Sequence, residues 1–274
     1  MPYRFPRCYR HLLTGLALML FALPMMASLA SAQTDEIQVY DAAIAPKGTF
    51  NLMSHSNFTP MGRETPAFPD AIIADHSFQE TLEWAYGVKG WFEQGLYLPV
   101  TTLHSQGRGS SINGFKIREL FVKPHAADQT FFYGVNFEFS TNHLWWESKH
   151  ETAEVRTIVG LHLHPAILDN HQLDLIFNPI VDTDYTGGIG NLEFVPSARI
   201  AVHLNDQWAL AGEEYSDFGP LRHFLKPNQQ FQEVWATTDY YGKVYSIETG
   251  VGVGMTDGSD KLTLKFMIAR DFHL

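Results

Sequence analysis

The sequence predicts an all-β protein, an up-and-down antiparallel transmembrane β-barrel of about twelve strands that follows a cleaved signal peptide. Three observations predict it. About a dozen segments of roughly ten residues alternate apolar and polar side chains, the length a tilted strand needs to cross a bilayer. Their connections are by turns long and short. No stretch after the signal is apolar for long enough to make a membrane helix, and an exported chain that crosses lipid without helices must close its sheet, because lipid satisfies no open edge.

The N-terminus comes first. Arg4, Arg7 and Arg10 precede an apolar run from Leu12 to Leu23, then Pro24 and the small residues Ala30-Ser31-Ala32. These are the parts of a secretory signal over residues 1–32, with Gln33 as the mature N-terminus. The single cysteine, Cys8, falls within the signal. The mature chain therefore has no thiol for a disulfide, a metal or a nucleophile. Without the signal arginines, sixteen basic residues stand against thirty acidic ones, a net charge of −14. That balance excludes nucleic-acid binding, which needs basic patches. Residues 33–47 form an N-terminal segment expected in the periplasm. A short helix, a plug at the inner mouth and a disordered tail are all open to it. Residues 48–274 form the barrel.

The expected strands follow in order. Thr49–Phe58 is the first. In Phe78–Val88, Phe78, Leu82, Trp84, Tyr86 and Val88 share one face and Gln79, Thr81, Glu83, Ala85 and Gly87 the other. The third places Leu96, Leu98 and Val100 opposite Tyr97 and Thr101. In Gly114–Val122 the alternation slips around Glu119-Leu120, which predicts a bulge or a packed interior leucine. Phe131–Ser140, Glu154–Leu163, Leu173–Asn178 and Leu192–Val202 alternate cleanly, Trp208–Tyr215 and Phe231–Tyr240 less so. Tyr245–Met255 and Leu262–Ala269 are the clearest. Long connections such as Thr59–His76, Asn142–Glu151 and Asp217–Asn228 interleave with short ones such as Lys89-Gly90-Trp91 and Asn205–Gln207. Outer-membrane barrels have this rhythm, with both termini in the periplasm. Aromatic residues cluster near both strand ends, as in an interfacial girdle. A secreted β-sandwich also alternates faces, but with shorter strands and a polar outer face.

In a barrel the polar face turns inward, so the candidate pore-lining residues are Glu83, Lys116, Arg118, Glu138, Glu154, Arg156, Asp174, Glu193, Arg199, Glu213, Glu248 and Lys265. They predict either a charged, water-filled path or a lumen closed by paired charges, since about twelve strands allow both. His162 and His164 share a face near His171, but a metal needs three or four converging ligands, so no metal and no cofactor is expected. An outer-membrane lipid-modifying enzyme is the alternative function. It would need a nucleophile and base in reach, and adjacent His55 and Ser56 point to opposite faces. No enzyme activity is expected. A closed barrel whose loops, Thr59–His76 and Asp217–Asn228, bind a partner is the third reading. The expected partners are outer-membrane lipids, the outer-membrane assembly machinery and a small-molecule solute of unknown identity.

GTFNLMSHSNFT at Gly48–Thr59, GFKIRELFVKP at Gly114–Pro124 and LIFNPIVDT at Leu175–Thr183 resemble segments of bacterial outer-membrane porins and transporters, including those of phenol meta-pathway degradation. The resemblance runs from about Gly48 to Phe272. It implies passive passage of small molecules, hydrophobic and aromatic ones among them, across the outer membrane of a Gram-negative bacterium. The C-terminus departs from the pattern, since Phe272 is followed by His273 and Leu274 rather than ending the chain.

Overall fold

A computed structural model describes residues 37–97, 101–104 and 109–273. The expected signal peptide, residues 1–32, lies outside them, as do Leu98 and Val100 of the third expected strand. Twelve antiparallel staves among the described residues close into one barrel. They are β1 (Thr49–Met61), β2 (Ser77–Lys89), β3 (Phe92–Tyr97 with Thr101–His104), β4 (Gly109–Ile112 with Gly114–Val122), β5 (Phe131–Asn142) and β6 (Glu151–Leu163). Then come β7 (Leu173–Asn178 with Ile180–Thr183), β8 (Glu193–Phe194 with Ser197–Asn205), β9 (Trp208–Asp217), β10 (Phe231–Tyr241), β11 (Ser246–Gly254) and β12 (Leu262–His273). Neighbours in sequence are neighbours in space, and β1 pairs with both β2 and β12, which closes the ring. Closure leaves no edge strand with free N–H and C=O groups.

The interruptions in β7 and β8 fall at Pro179 and Pro196, whose missing N–H removes a ladder bond. The register is the same on either side of each proline, so the staves continue through. In β4 the pairing with β5 runs unbroken from Gly114 to Val122. The slip in its alternation is therefore a packed interior leucine, with Leu120 buried, and not a bulge.

Polarity is inverted relative to a soluble sandwich. Leu82, Trp84, Phe131, Tyr133, Ile200, Val251 and Phe266 are exposed on the outer wall, whereas Glu138, Arg156, Arg199 and Lys265 are buried inside. Rings pack around the end where β1 begins and β12 finishes, Phe92 on Phe121 at 4.7 Å and Trp208 against Tyr240 at 4.8 Å. Glu80 is an outward exception on β2. It is held by the hydroxyls of Ser54 (2.5 Å) and Ser56 (2.6 Å), which blunt its charge on an apolar wall.

Inside, the lumen is packed rather than empty. Phe132 is fully buried, lies over Gly160 and stacks on the His162 ring at 4.5 Å. A Cβ at Gly160 would collide with the Phe132 ring. Gly160→Val should therefore destabilise the barrel by about 1–3 kcal/mol, the usual cost of overpacking. Urea unfolding in detergent micelles measures this, and a loss below a few tenths would mean that the ring moves freely.

Candidate functional site, the barrel lumen

The chain before β1 determines the character of the lumen. Ile37–Lys47 is neither helix nor strand. It folds back into the barrel, where Ile37, Val39, Tyr40, Ala42 and Ala45 are all buried. Gly48 makes the reversal with φ of 82°, a left-handed conformation that glycine adopts without strain. Its N–H donates to Gly87 O at 2.7 Å. A side chain at Gly87 would strike the backbone of Ala45 and Pro46, so glycine lets the segment lie against β2.

Apolar packing and polar bonds hold the segment together. Ile37, Val39, Tyr40 and Ala42 join a core with Leu120, Phe132, Ile158 and Ile176 of the inner wall. Burying an aliphatic side chain this way contributes about 1.5–3 kcal/mol. Asn178 acts as a surrogate strand: its side-chain oxygen accepts the Tyr40 N–H (2.7 Å) and its amide donates to Tyr40 O (3.0 Å). The Tyr40 hydroxyl bonds to that of Tyr97 (2.7 Å) and reaches Glu138 (3.3 Å). Arg156 lies over the Tyr40 ring at 4.2 Å and donates to Gln38 O at 3.2 Å. Lys265 donates to Ile37 O (3.1 Å), and the Ala45 N–H donates to Glu93 (2.5 Å).

The charged side chains chosen from the sequence point into this space and fall into clusters. Lys265, fully enclosed, bridges Glu213 (2.6 Å) and Glu248 (2.5 Å), while Arg199 bonds Glu213, Asp239 and Glu248. Arg118 joins Glu83 to Glu93, and His55 adds a bond to Glu83 at 3.1 Å. Lys116 reaches Glu138 at 3.4 Å, and Arg156 grips Glu154 through two nitrogens at 2.7 and 3.3 Å. Asp174 accepts from His162 and His203, each at 2.7 Å, near the end where β1 begins. Glu193 lines the opposite end. Asp239, Glu93 and Asn178 belong to the same networks but were absent from the sequence selection. Strand alternation alone could have supplied all three. Ser56 faces outward and His55 inward, so the two do not meet.

Two cavities flank the inserted segment. One of about 620 Å³ lies towards the start of β1, bounded by Asp174, Arg199, Asp239 and Met267. One of about 510 Å³ lies towards the long loops, bounded by Glu154, Asp182, Ser197 and Trp146. Gln38 lines both, so the segment divides them.

The β1–β2 loop closes over the second cavity, to which it contributes Phe68. Ile72 N–H donates to Trp145 O at 2.9 Å and its side chain packs with Trp146. Asp75 ties this loop back: its carboxylate accepts the Gly62 N–H (2.9 Å) and bonds the His76 ring (2.5 Å). The Gly62 amide above all, with His76 behind it, holds the Asp75 carboxyl below its ordinary range. Such a group stabilises the loop when ionised, and that contribution is lost as pH falls through its lowered pKa. Acidifying from about pH 5 to about pH 2 should loosen the loop, and Asp75→Asn should remove the pH dependence. Fluorescence of Trp145 and Trp146 reads it. A wild-type titration identical to that of Asp75→Asn would refute the tie.

Fold and lumen together define a closed twelve-strand barrel, among the described residues, whose interior holds the chain segment that precedes β1. No protein-family model matches the chain, and no curated protein matches its sequence. Solved structures do match. An outer membrane channel from Pseudomonas putida F1 is similar over 86% of this chain and 100% of its own, at 11% identity and a TM-score of 0.55. The KdgM porin is similar over 81% of this chain and 99% of its own, at 8% identity and a TM-score of 0.50. At these identities the likeness is one of fold.

Proposed function

We propose that the protein is an outer-membrane channel held closed by Ile37–Lys47, and that small molecules cross the barrel when the segment shifts. The division of one lumen into two cavities by a segment that joins the barrel wall through the Gly48 turn carries this reading. The apolar outer belt supports seating in a bilayer, and the fold shared with outer-membrane channels supports that location. The lipids of that membrane and the assembly machinery that inserts barrels would be its partners. With the segment displaced, an apolar wall of Leu120, Phe132, Ile158 and Ile176 would face a charged one of Arg199, Asp239 and Glu248. A small molecule with an apolar or aromatic body and a charged group suits both walls. No cofactor enters this function.

Planar-bilayer recording on refolded Gln33–Leu274, against an empty-detergent control, tests it. The expected result is unit conductance with long closures, and ion selectivity that shifts when Glu138 or Arg156 is reversed in charge. A folded, heat-modifiable protein that stays silent under all voltages would rule the channel out. Hydrolysis of phospholipid or lipopolysaccharide would then point to the lipid-modifying enzyme.

A further inference from the structure

At the loop end of the lumen, four adjacent staves bring carboxylates to one level. Glu138 on β5 is in register with Glu154 on β6, Glu154 with Asp182 on β7, and Asp182 with Glu193 on β8. Directly opposed side chains on neighbouring strands stand about 4.5–5.5 Å apart at Cβ, where like charges repel. The chain neutralises only part of the row. Lys116 serves Glu138 and Arg156 serves Glu154. Among the described residues, Asp182 and Glu193 make no ion pair, and Asp182 Oδ1 is enclosed without a hydrogen bond. Beside them the Ser197 side chain, 1% exposed, lines the same cavity, and its hydroxyl also has no partner.

We infer that this 510 Å³ cavity is a binding site for an organic ammonium ion. Asp182 and Glu193 take its N–H donors, the Ser197 hydroxyl accepts a further one, and the carbon body lies against Trp146 and Phe68. Several observations select this ligand class. An anion would meet a wall on which acidic side chains outnumber basic ones. A metal ion needs converging ligands, and the described residues hold no group of three or more acids, histidines or cysteines set for one. A neutral solute would leave the unpaired carboxylates in place, whereas an ammonium supplies both the charge and the donors they lack. The wall reaches exposed Ser148 and Lys149, so entry is from the loop end. The inference deepens the channel reading by naming a solute class, and it rests on the same lumen.

The test is calorimetric titration of the whole refolded chain in detergent with 1,5-diaminopentane, alongside 1,5-pentanediol as a neutral match in length. The diamine should bind saturably and the diol should not. The double variant Asp182→Asn/Glu193→Gln should weaken the diamine by about tenfold or more, the loss of a charge-assisted hydrogen bond. Ser197→Ala should weaken it less. Removing two mutually repelling carboxylates relieves strain, so the double variant should fold, with heat-modifiability as the check. The diamine and diol comparison needs no variant at all. Equal binding of diamine and diol, undiminished binding in the folded double variant, or displacement of the diamine by tighter-binding Ca²⁺ would each overturn the site. Because no current is measured, diamine binding by a barrel that never conducts would leave this site standing and remove the channel reading. Conductance without diamine binding would do the reverse.

Discussion

Deleting Ile37–Lys47 should turn the barrel from a mostly closed channel into a permanently open one, with mean current per inserted molecule rising severalfold. The two cavities on either side of the segment would then merge into one water-filled path. In the intact protein the segment should seldom leave. Ile37 and Val39 alone bury side chains worth about 1.5–3 kcal/mol each, and every 1.4 kcal/mol is a factor of ten in population. The bonds to Asn178, Glu93 and Lys265 add to that. A milder variant separates gating from pore size. Gly87→Leu pushes against the backbone of Ala45 and Pro46 without removing anything from the lumen. It should raise the fraction of time open and leave the fully open conductance alone. Single-channel recording distinguishes the two changes. Currents from the deletion variant that match the intact chain would show that the segment is not the obstruction.

Lys265→Met should cost about 3–5 kcal/mol of stability, the range for removing one partner of a buried charge cluster. The ammonium group is fully enclosed and lies between Glu213 and Glu248, with Trp235 and Tyr215 beside it. Its loss leaves two carboxylates to share Arg199, which already serves Asp239. The bond that Lys265 donates to Ile37 O would be lost as well, so the variant should also loosen the inserted segment. Adding Glu213→Gln should recover part of the loss, because it removes the charge left behind, and the two changes should be clearly non-additive. Urea unfolding of the refolded proteins measures both. A single variant within 1 kcal/mol of the parent would mean that water, not Lys265, balances these acids.

Much of the barrel could be read from the chain because a strand has a period of two and a closed barrel has only two faces. Slipping one residue would turn every side chain to the other wall, so alternation fixes which residues face inward. That is why Glu83, Glu138, Arg199 and Lys265 could be picked out as inward without knowing a single contact. The partners could not. Arg199 meets Asp239 across two intervening strand pairings, and Lys265 meets Glu213 from 52 residues away. Such contacts depend on register around the whole ring. Leu120 misled the local pattern because the core it enters is completed by Ile37 and Val39, which lie in a segment with no strand periodicity. The position of that segment rests on the Asn178 side chain and the absence of one at Gly87; alternation turns both inward but does not report that the chain before β1 packs on them.

The order of elements along the chain has a consequence for assembly. The inserted segment comes immediately before β1, and β1 forms the closing seam with β12, where Thr49 and His273 meet across 224 residues. Contacts between such distant residues carry the largest loop-closure cost and form late. Once the seam is zipped, the segment could reach its place only by threading into a closed ring past Met267, Asp239 and Tyr241. The sheet therefore curls around Ile37–Lys47, which acts as a mandrel that gathers Glu93 and Asn178 before the last strand arrives with Lys265. The interior of this barrel is therefore shaped around a segment that its own sheet encloses.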